Sequence, residues 1–413
     1  MKKINSIRGM HDVIGDEYQK QKHVTDTFVD LLESHNYTPI STPILEYSEV
    51  FKRTLGEETD VVMKEMYTFK DKSDDLITLR PEGTASIARA IISNGLTQSL
   101  PLKLYYFGSM FRYERPQKGR YREFNQVGME LYGNGNIYED WEAIFLACKL
   151  LKKLNIEDKF YLRINTLGSH EERLKYVNEI KKYFVSNMEK LSVDSKIRLK
   201  KNPLRILDSK APEDIYIKKY APKIYDFLKK EDLNSFISLK EILVSNNIKF
   251  YQDPFLVRGL DYYNGVTFEF THKENKNFTV LAGGRYNNLV KELGGKHLPA
   301  VGWAAGSERL VSFCDINLSI KKPVVIAPLD KKYLRLCLSI LNELIKKKLK
   351  VEISYFFNLK KSLSYSNKIK ASHIIIIGEN EANDLKPSIK NLKTGTQTST
   401  EINKLSRYIK NES

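Results

Sequence analysis

Two strand-length runs, 104–114 and 124–132, flank the nine-residue stretch RPQKGRYRE, and no other part of the chain restricts the fold as much. Side chains on a strand alternate between faces. Phe111 and Tyr113 therefore fall on one side of the first run, with Arg112 and Glu114 on the other. On the second run Val127, Met129 and Leu131 share a face, opposite Gln126, Gly128 and Glu130. The pattern predicts an antiparallel hairpin with one buried face. Its other face presents an arginine, a glutamine, a glutamate, and a glycine that leaves room between the polar groups. Two readings of that face stay open: the solvated side of an edge sheet, or the floor of a pocket for a polar small molecule. The joining loop sets Arg115, Lys118, Arg120 and Arg122 around Gly119 and Tyr121. Guanidinium forks match phosphate oxygens, and basic residues interleaved with an aromatic suit single-stranded nucleic-acid ends. A solvated charged loop is the competing reading, and it loses weight because the loop hangs beside the polar face.

The rest of the chain organises around this hairpin. Val24, Phe28, Leu31 and Leu32 define one face of a helix over 17–35, stopped by Asn36 and the Pro39/Pro43 pair. Residues 44–80 mix short strands and loops and end in the strand-like run 76–79. Pro81-Glu82-Gly83-Thr84 then breaks the chain ahead of ASIARAIISN, with Thr84 expected as the N-cap. Trp141, Ile144, Phe145, Cys148 and Leu151 mark another helix. Ser169 and Glu172 form a capping-box signature that opens a polar, lysine-rich, mainly helical stretch to about 250. Strand-like, glycine-punctuated sequence resumes at Leu256 and runs to about 303, so the helical stretch reads as an insertion into a β-rich domain. After Lys321-Lys322-Pro323 come VVIAPL, a helix over 331–349, VEISYF, another helix and HIIIIG, the pattern of a small α/β domain. The expected division is 1–320, with an insertion at about 170–250, and 321–413.

Charge divides the same way. The chain carries 67 Lys+Arg against 51 Asp+Glu, a net of +16. Residues 321–413 hold 19 basic and 8 acidic side chains, or +11, and the first 320 hold 48 and 43. A basic excess at one end suits a module facing a polyanion, although a lysine-rich proteome decorating its surfaces gives the same arithmetic. No apolar run reaches membrane-spanning length, and no apolar core follows the two N-terminal lysines, so no membrane span or secretory signal is expected. Cys148, Cys314 and Cys337 have no metal-ligand spacing and suit a reducing cytoplasm. GxxxxGK[ST], a zincin motif and a nucleophile elbow are all missing.

Two more segments carry candidate chemistry. LVRGLDYYNGVTFEF places Arg258, Asp261, Tyr262 and Tyr263 within six positions and is followed by the Gly283-Gly284-Arg285-Tyr286 turn. VGWAAGSERLV puts Arg309 in the first turns of a helix, where backbone N–H groups already favour anions.

Taken together these motifs resemble the histidyl-tRNA synthetase family of class II aminoacyl-tRNA synthetases, and the resemblance runs from RGMHD at Arg8 through the C-terminal domain. FKRTLGEETDVVMKEMYTF and LRPEGTASIARA look like the family's first-motif region, and MFRYERPQKGRYREFNQVGMELYG like its second motif. VRGLDYYN looks like its histidine-specific motif and AAGSERLV like its third. RGLDYY beside PEGT points to histidine.

The resemblance implies an α+β fold: a mostly antiparallel sheet of six or seven strands flanked by helices, dimerising through the first-motif region. It implies a helical insertion that contacts the tRNA acceptor arm and a C-terminal α/β module that binds the anticodon, which accounts for the +11. The implied partners are L-histidine, its cognate tRNA and a second copy of the chain, with ATP as substrate and Mg²⁺ on the polyphosphate. The implied reaction makes histidyl-adenylate and pyrophosphate, then transfers histidine to the tRNA 3′ end. By similarity, Arg112 holds the α-phosphate and the substrate carboxylate, and Arg258 takes the other side of that phosphate. Arg120 and Arg309 hold the β- and γ-phosphates, and Phe124 stacks on adenine. Glu82, Thr84 and Gln126 take the α-amino group, and Gly83 and Arg258 also count among the histidine-binding residues. Glu130 and Tyr263 grip the two imidazole nitrogens, with Tyr262 lining the pocket. Trp303, Ala305, Ser307 and Asn287 depart from the family's commoner residues, with an expected effect on packing near the adenosine. The competing assignments are a regulatory subunit of an ATP phosphoribosyltransferase, a catalytically silent tRNA sensor, and another class II specificity. Arg112, Arg258, Arg309 and the basic C-terminal domain count against the first, Glu82 and Glu130 against the second, and RGLDYY against the third.

Overall fold

A computed structural model describes residues 3–411 apart from 58, 116–118, 277 and 317–321; Lys118 thus lies outside the described residues. The chain divides into two compact units, Met1–Ile316 and Asn317–Ser413.

The first unit is built on an eight-stranded sheet in the order Thr38–Pro39, Leu102–Phe111, Glu123–Tyr132, Ala300–Gly306, Thr279–Arg285, Val266–His272, Phe160–Thr166, Phe250–Gln252. The six central strands are antiparallel to their neighbours, and the two outermost join in parallel. The sheet has more strands than the resemblance implies because those outer strands have only two and three residues, too few to show an alternating pattern. The hairpin forms as its alternation dictates, with Leu104 opposite Glu130, Tyr106 opposite Gly128 and Gly108 opposite Gln126. Its first strand ends at Phe111, so Arg112 sits just beyond the ladder, its N–H donating to the Arg122 carbonyl at 2.9 Å.

Val127, Met129 and Leu131 face the core together with Val24, Phe28, Leu31 and Leu32 of helix Asp16–Glu33 and Ile144, Leu150 and Leu151 of helix Ile137–Lys153. Burying each such side chain contributes about 1.5–3 kcal/mol. Asn36 ends the first helix in a left-handed conformation, φ +62°. A three-stranded sheet (Leu45–Tyr47, Leu76–Leu79, Tyr67–Lys70) leads into the Pro81–Gly83 turn.

Helix Thr84–Ser93 corrects one expectation. Thr84 is its first helical residue, and the cap comes from Glu82, whose carboxylate accepts the N–H groups of Thr84 and Ala85 at 2.8 and 2.7 Å. The longer glutamate side chain reaches forward to two donors that the helix cannot satisfy itself, which frees the Thr84 hydroxyl for another partner.

Ser169 and Glu172 form the expected capping box, with Ser169 N–H donating to Glu172 at 2.6 Å. Helices His170–Ser186, Val193–Lys201 and Pro212–Lys218 follow. They gather about Asp214, whose carboxylate accepts the hydroxyls of Ser192, Ser195 and Ser209 at 2.6, 2.6 and 2.5 Å. The next helix, Lys230–Ser245, packs elsewhere: Phe236, Leu239 and Leu243 enter the core on the helix-covered side of the large sheet.

The second unit has a five-stranded sheet in the order Val351–Ile353, Val324–Pro328, His373–Ile377, Ser388–Asn391, Gln397–Ser399. The first three strands are parallel and the last two antiparallel. The Ile374–Ile377 run is buried on both faces: Ile375 and Ile377 pack in one core cluster, Ile374 and Ile376 in another, as a continuous apolar strand requires. Among the described residues no helix is long and apolar enough to cross a membrane.

Candidate active site

The non-core face of the large sheet lays its residues out in rows. One row crosses six strands as Tyr106, Gly128, Ala304, Ala282, Glu269 and Arg163. The next runs Leu104, Glu130, Gly302, Gly284, Thr267 and Asn165. Small residues at the centre leave a trough, and charged ones at one end give it polarity. The room that Gly128 leaves between its polar neighbours is filled by the Tyr106 ring: a Cβ on Gly128 would lie 2.5 Å from Tyr106 Cζ.

Above the trough opens a cleft of about 930 Å³. Of the residues singled out from sequence, Glu82, Thr84, Arg112, Arg120, Phe124, Gln126, Arg258, Tyr262, Tyr263 and Arg309 line it. Gly83 and Glu130 do not. Gly83 backs onto the Tyr106 ring, 2.3 Å from where its Cβ would stand. Glu130 lies beneath the floor, 1% exposed, with Thr84 Oγ1 donating to one oxygen at 2.7 Å and the Tyr286 hydroxyl to the other. Burial pushes its carboxyl up to about 8, outweighing the two hydroxyl donors. Burial likewise raises Glu82 against the pull of its two backbone N–H groups.

Each arginine is anchored by one part of its side chain. Arg112 Nε donates to the Pro81 carbonyl at 2.8 Å, with its guanidinium 5.4 Å from the Phe124 ring. Arg309 donates to the carbonyls of Gly119 and Thr279, both at 3.0 Å, which ties the basic loop to the neighbouring strand. Its pKa is lowered by burial and then by the Arg120 charge beside it. Arg120 itself pairs with Glu114 at 3.4 Å. Arg258 reaches Glu269 at 3.1 Å, Glu269 also takes Arg163, and Arg163 in turn holds Asp253. Arg258 Nε and Gln126 Oε1 are buried without a hydrogen-bond partner among the described residues. Buried polar atoms rarely stay unpaired, so a donor and an acceptor left open on one cleft fit a polar ligand.

Sequence reasoning missed Tyr286, which it read only as part of a turn, as well as Tyr106 and Glu269. For Glu269 a signal existed: it alternates with Phe268 and Phe270, which belong to the core. Trp303 and Ala305 were expected to affect packing near a nucleotide. They instead face the core, where Trp303 meets Phe28 edge-on at 5.9 Å, because on that strand Ala304 and Gly306 are the cleft-facing positions.

A model of the histidyl-tRNA synthetase family matches residues 9–172 and 217–310, and one of the anticodon binding domain matches 323–412. The chain is 42% identical to a histidine–tRNA ligase of Gluconacetobacter diazotrophicus over 99% of both chains. It is 40% identical to that of Rhodospirillum rubrum, again over 99% of each. The solved apo histidyl-tRNA synthetase of S. aureus superimposes with a TM-score of 0.81 at 31% identity, covering 99% of this chain and 100% of that one. A Bacillus halodurans protein described as an ATP phosphoribosyltransferase regulatory subunit/histidyl-tRNA synthetase shares the fold at 22% identity and a TM-score of 0.65, over 87% of this chain and 96% of that one. Near-full-length matches at this identity decide the matter: the chain belongs to the histidyl-tRNA synthetase family, as an ATP-dependent ligase that joins histidine to tRNA.

Proposed function

We propose that the cleft carries out both steps of histidine transfer with Arg112 and Arg258 as its catalytic residues. In the first step the histidine carboxylate attacks the α-phosphorus of ATP in line. A P–O bond forms to the carboxylate, the bond to the β-phosphate bridge breaks, and pyrophosphate departs with the electron pair. Two anions must meet, so the protein mainly has to neutralise, align and stabilise growing negative charge. Arg112 takes the α-phosphate and the carboxylate from the hairpin side, and Arg258 takes the same phosphate from the side of Glu269. Arg120 and Arg309 hold the β- and γ-phosphates, and Phe124 stacks on adenine. Mg²⁺ would be carried in with the polyphosphate and would supply further positive charge there, near the cleft carboxylates Glu114 and Glu308, which here pair with Arg120 and Asn125.

Glu82, Thr84 and Gln126 receive the α-amino group, with Gly83 behind them against the Tyr106 ring. Tyr263 reads an imidazole nitrogen with Tyr262 beside it, and Glu130 acts from beneath the floor through the Thr84 and Tyr286 hydroxyls that it accepts. A site that leaves polar groups unpaired when an apolar analogue enters can discriminate by about 10⁴–10⁵. The helical stretch at about 170–250 holds the acceptor arm, the unit from 321 on reads the anticodon, and two copies associate through the first-motif region. The three cysteines, all unpaired, suit the cytoplasm.

The observation that carries this reading is the pairing of anchored arginines with an open donor on Arg258 and an open acceptor on Gln126, all on one cleft. Amino-acid-dependent ATP–pyrophosphate exchange, run with each amino acid in turn, tests it. Exchange supported by histidine alone is expected; equal exchange with threonine or proline would overturn it.

A further inference from the structure

The sequence singles out Asp261 along with Arg258, Tyr262 and Tyr263, yet adenylation leaves it without a task. Its neighbours Leu260 and Tyr262 line the cleft, and Asp261 does not. Its carboxylate points the other way. One oxygen accepts Asn202 Nδ2 at 3.0 Å and the Arg173 guanidinium at 3.3 Å. The other crowds against Gly56, whose missing side chain leaves the room. Arg173 Nη1 also donates to the carbonyls of Asp261 and Tyr263, at 2.6 and 3.1 Å, so one guanidinium grips the backbone on both sides of Tyr262. Arg258–Tyr263 belongs to no helix or strand, so a carbonyl there needs a partner from elsewhere. The helical stretch supplies it. Arg173 lies in the first turns of helix His170–Ser186, and Asn202 ends helix Val193–Lys201. Arg205, just beyond, pairs with Asp60 at 2.9 Å, which ties the same stretch to the segment after helix Ser48–Leu55 and fixes the anchors themselves.

We propose that Arg173 and Asn202 are positioning residues for histidine recognition: through Asp261 they set where the Tyr262–Tyr263 pair stands. The proposal rests on the reading that Tyr263 meets an imidazole nitrogen. Both tyrosines are buried, with their rings 4.6 Å apart, and the Tyr263 ring lies 5.7 Å from the Arg258 guanidinium. A shift of the backbone at 261–263 therefore carries the Tyr263 hydroxyl with it. The phosphate-binding side has other anchors: Arg112 on the Pro81 carbonyl, Arg309 on those of Gly119 and Thr279, and Arg258 on Glu269. Hydrogen bonds weaken steeply away from their preferred distance and angle. Loosening the Asp261 anchor thus falls on histidine affinity and spares ATP affinity. On this account the helical stretch is part of the amino-acid site before any tRNA is bound.

Histidine-dependent ATP–pyrophosphate exchange by the full-length enzyme, run without tRNA, isolates this role from any contact with the acceptor arm. Asn202→Asp sets two carboxylates against each other. It is expected to raise KM for histidine about tenfold, the scale of one hydrogen bond to a charged group, with KM for ATP and kcat changed by less than about threefold. Adding Asp261→Asn puts the donor on the other partner and rebuilds one amide–carboxylate bond, so the double variant should recover most of the loss. Arg173→Lys keeps the charge but lacks the fork that spans two carbonyls and a carboxylate. It should also raise KM for histidine, and it carries the test if Asn202→Asp does not fold. A wild-type KM for histidine in either folded single variant, equal rises in both KM values, or a double variant no better than Asn202→Asp would overturn the proposal. An unchanged KM for histidine in Tyr263→Phe would instead remove the reading of Tyr263, and the proposal with it.

Discussion

The Tyr286 hydroxyl donates to one oxygen of Glu130, completing a buried clamp whose other half is the Thr84 hydroxyl at 2.7 Å. The Tyr286 ring is held in turn against Tyr262 at 5.5 Å and Tyr263 at 6.2 Å, so the residue that aims Glu130 also shapes the wall of the proposed imidazole pocket. Tyr286→Phe keeps the ring and removes the donor. The lost hydrogen bond leaves a buried acceptor under-satisfied, at a cost of about 1–3 kcal/mol. The expected result is a rise of tenfold or more in KM for histidine in ATP–pyrophosphate exchange, with KM for ATP unchanged. Parallel rises in both constants would instead make Tyr286 a general support of the fold.

Glu130 also gives stability a pH dependence of definite sign. Its carboxyl is pushed up to about 8 by burial, against about 4.3 in an unfolded chain. Between those values the folded protein holds a proton that the unfolded chain releases. The contribution is therefore complete below about pH 4.3 and is lost as pH rises through 8, with a slope of at most about 1.4 kcal/mol per pH unit. Glu130→Gln cannot ionise. Denaturant midpoints followed from pH 5 to 8.5 should show wild type losing ground to this variant; a constant difference would contradict the account.

Glu269 holds Arg258 and Arg163 at once. Glu269→Gln keeps the shape and removes the charge that aims Arg258. Because displacement of about 1 Å at a reacting centre can cost about a hundredfold, kcat for exchange should fall ten- to a hundredfold. KM for histidine should change less than threefold. Equal falls in kcat and thermal midpoint would mark Glu269 as a purely structural hub.

Gly128→Ala tests the floor. Its Cβ would meet the Tyr106 ring at 2.5 Å, and Tyr106 is buried between the sheet and helix Thr84–Ser93. Overpacking of this kind costs about 1–3 kcal/mol. Chemical denaturation should show that loss, and Tyr106→Phe, which keeps the ring, should not relieve it. Wild-type stability in Gly128→Ala would mean that the Tyr106 ring moves aside freely.

These variants also mark what the sequence does and does not reveal. The hairpin was legible because Val127, Met129 and Leu131 alternate with Gln126, Gly128 and Glu130, and one register fixes every side chain on both faces. The Ser169–Glu172 capping box was legible because it is local. Glu82 as the cap of Thr84–Ser93 was not, since preference rules favour the shorter threonine. Tyr286 and Glu130 are 156 positions apart in the chain, and only the pairing of Glu130 with Gly302 and of Gly302 with Gly284 brings their strands together. The edge strands Thr38–Pro39 and Phe250–Gln252 carry no period to read, so Tyr251 gave no sign of lying on the cleft.

The central claim is that Arg258 stabilises charge as the two anions meet. Histidine-dependent ATP–pyrophosphate exchange by Arg258→Ala measures it most directly. A fall in kcat of about a hundredfold or more, the scale for one lost donor to developing charge, with little change in histidine affinity and in thermal midpoint, is the predicted result. A near-normal rate, or a rate that falls only as far as the folded fraction does, would contradict it.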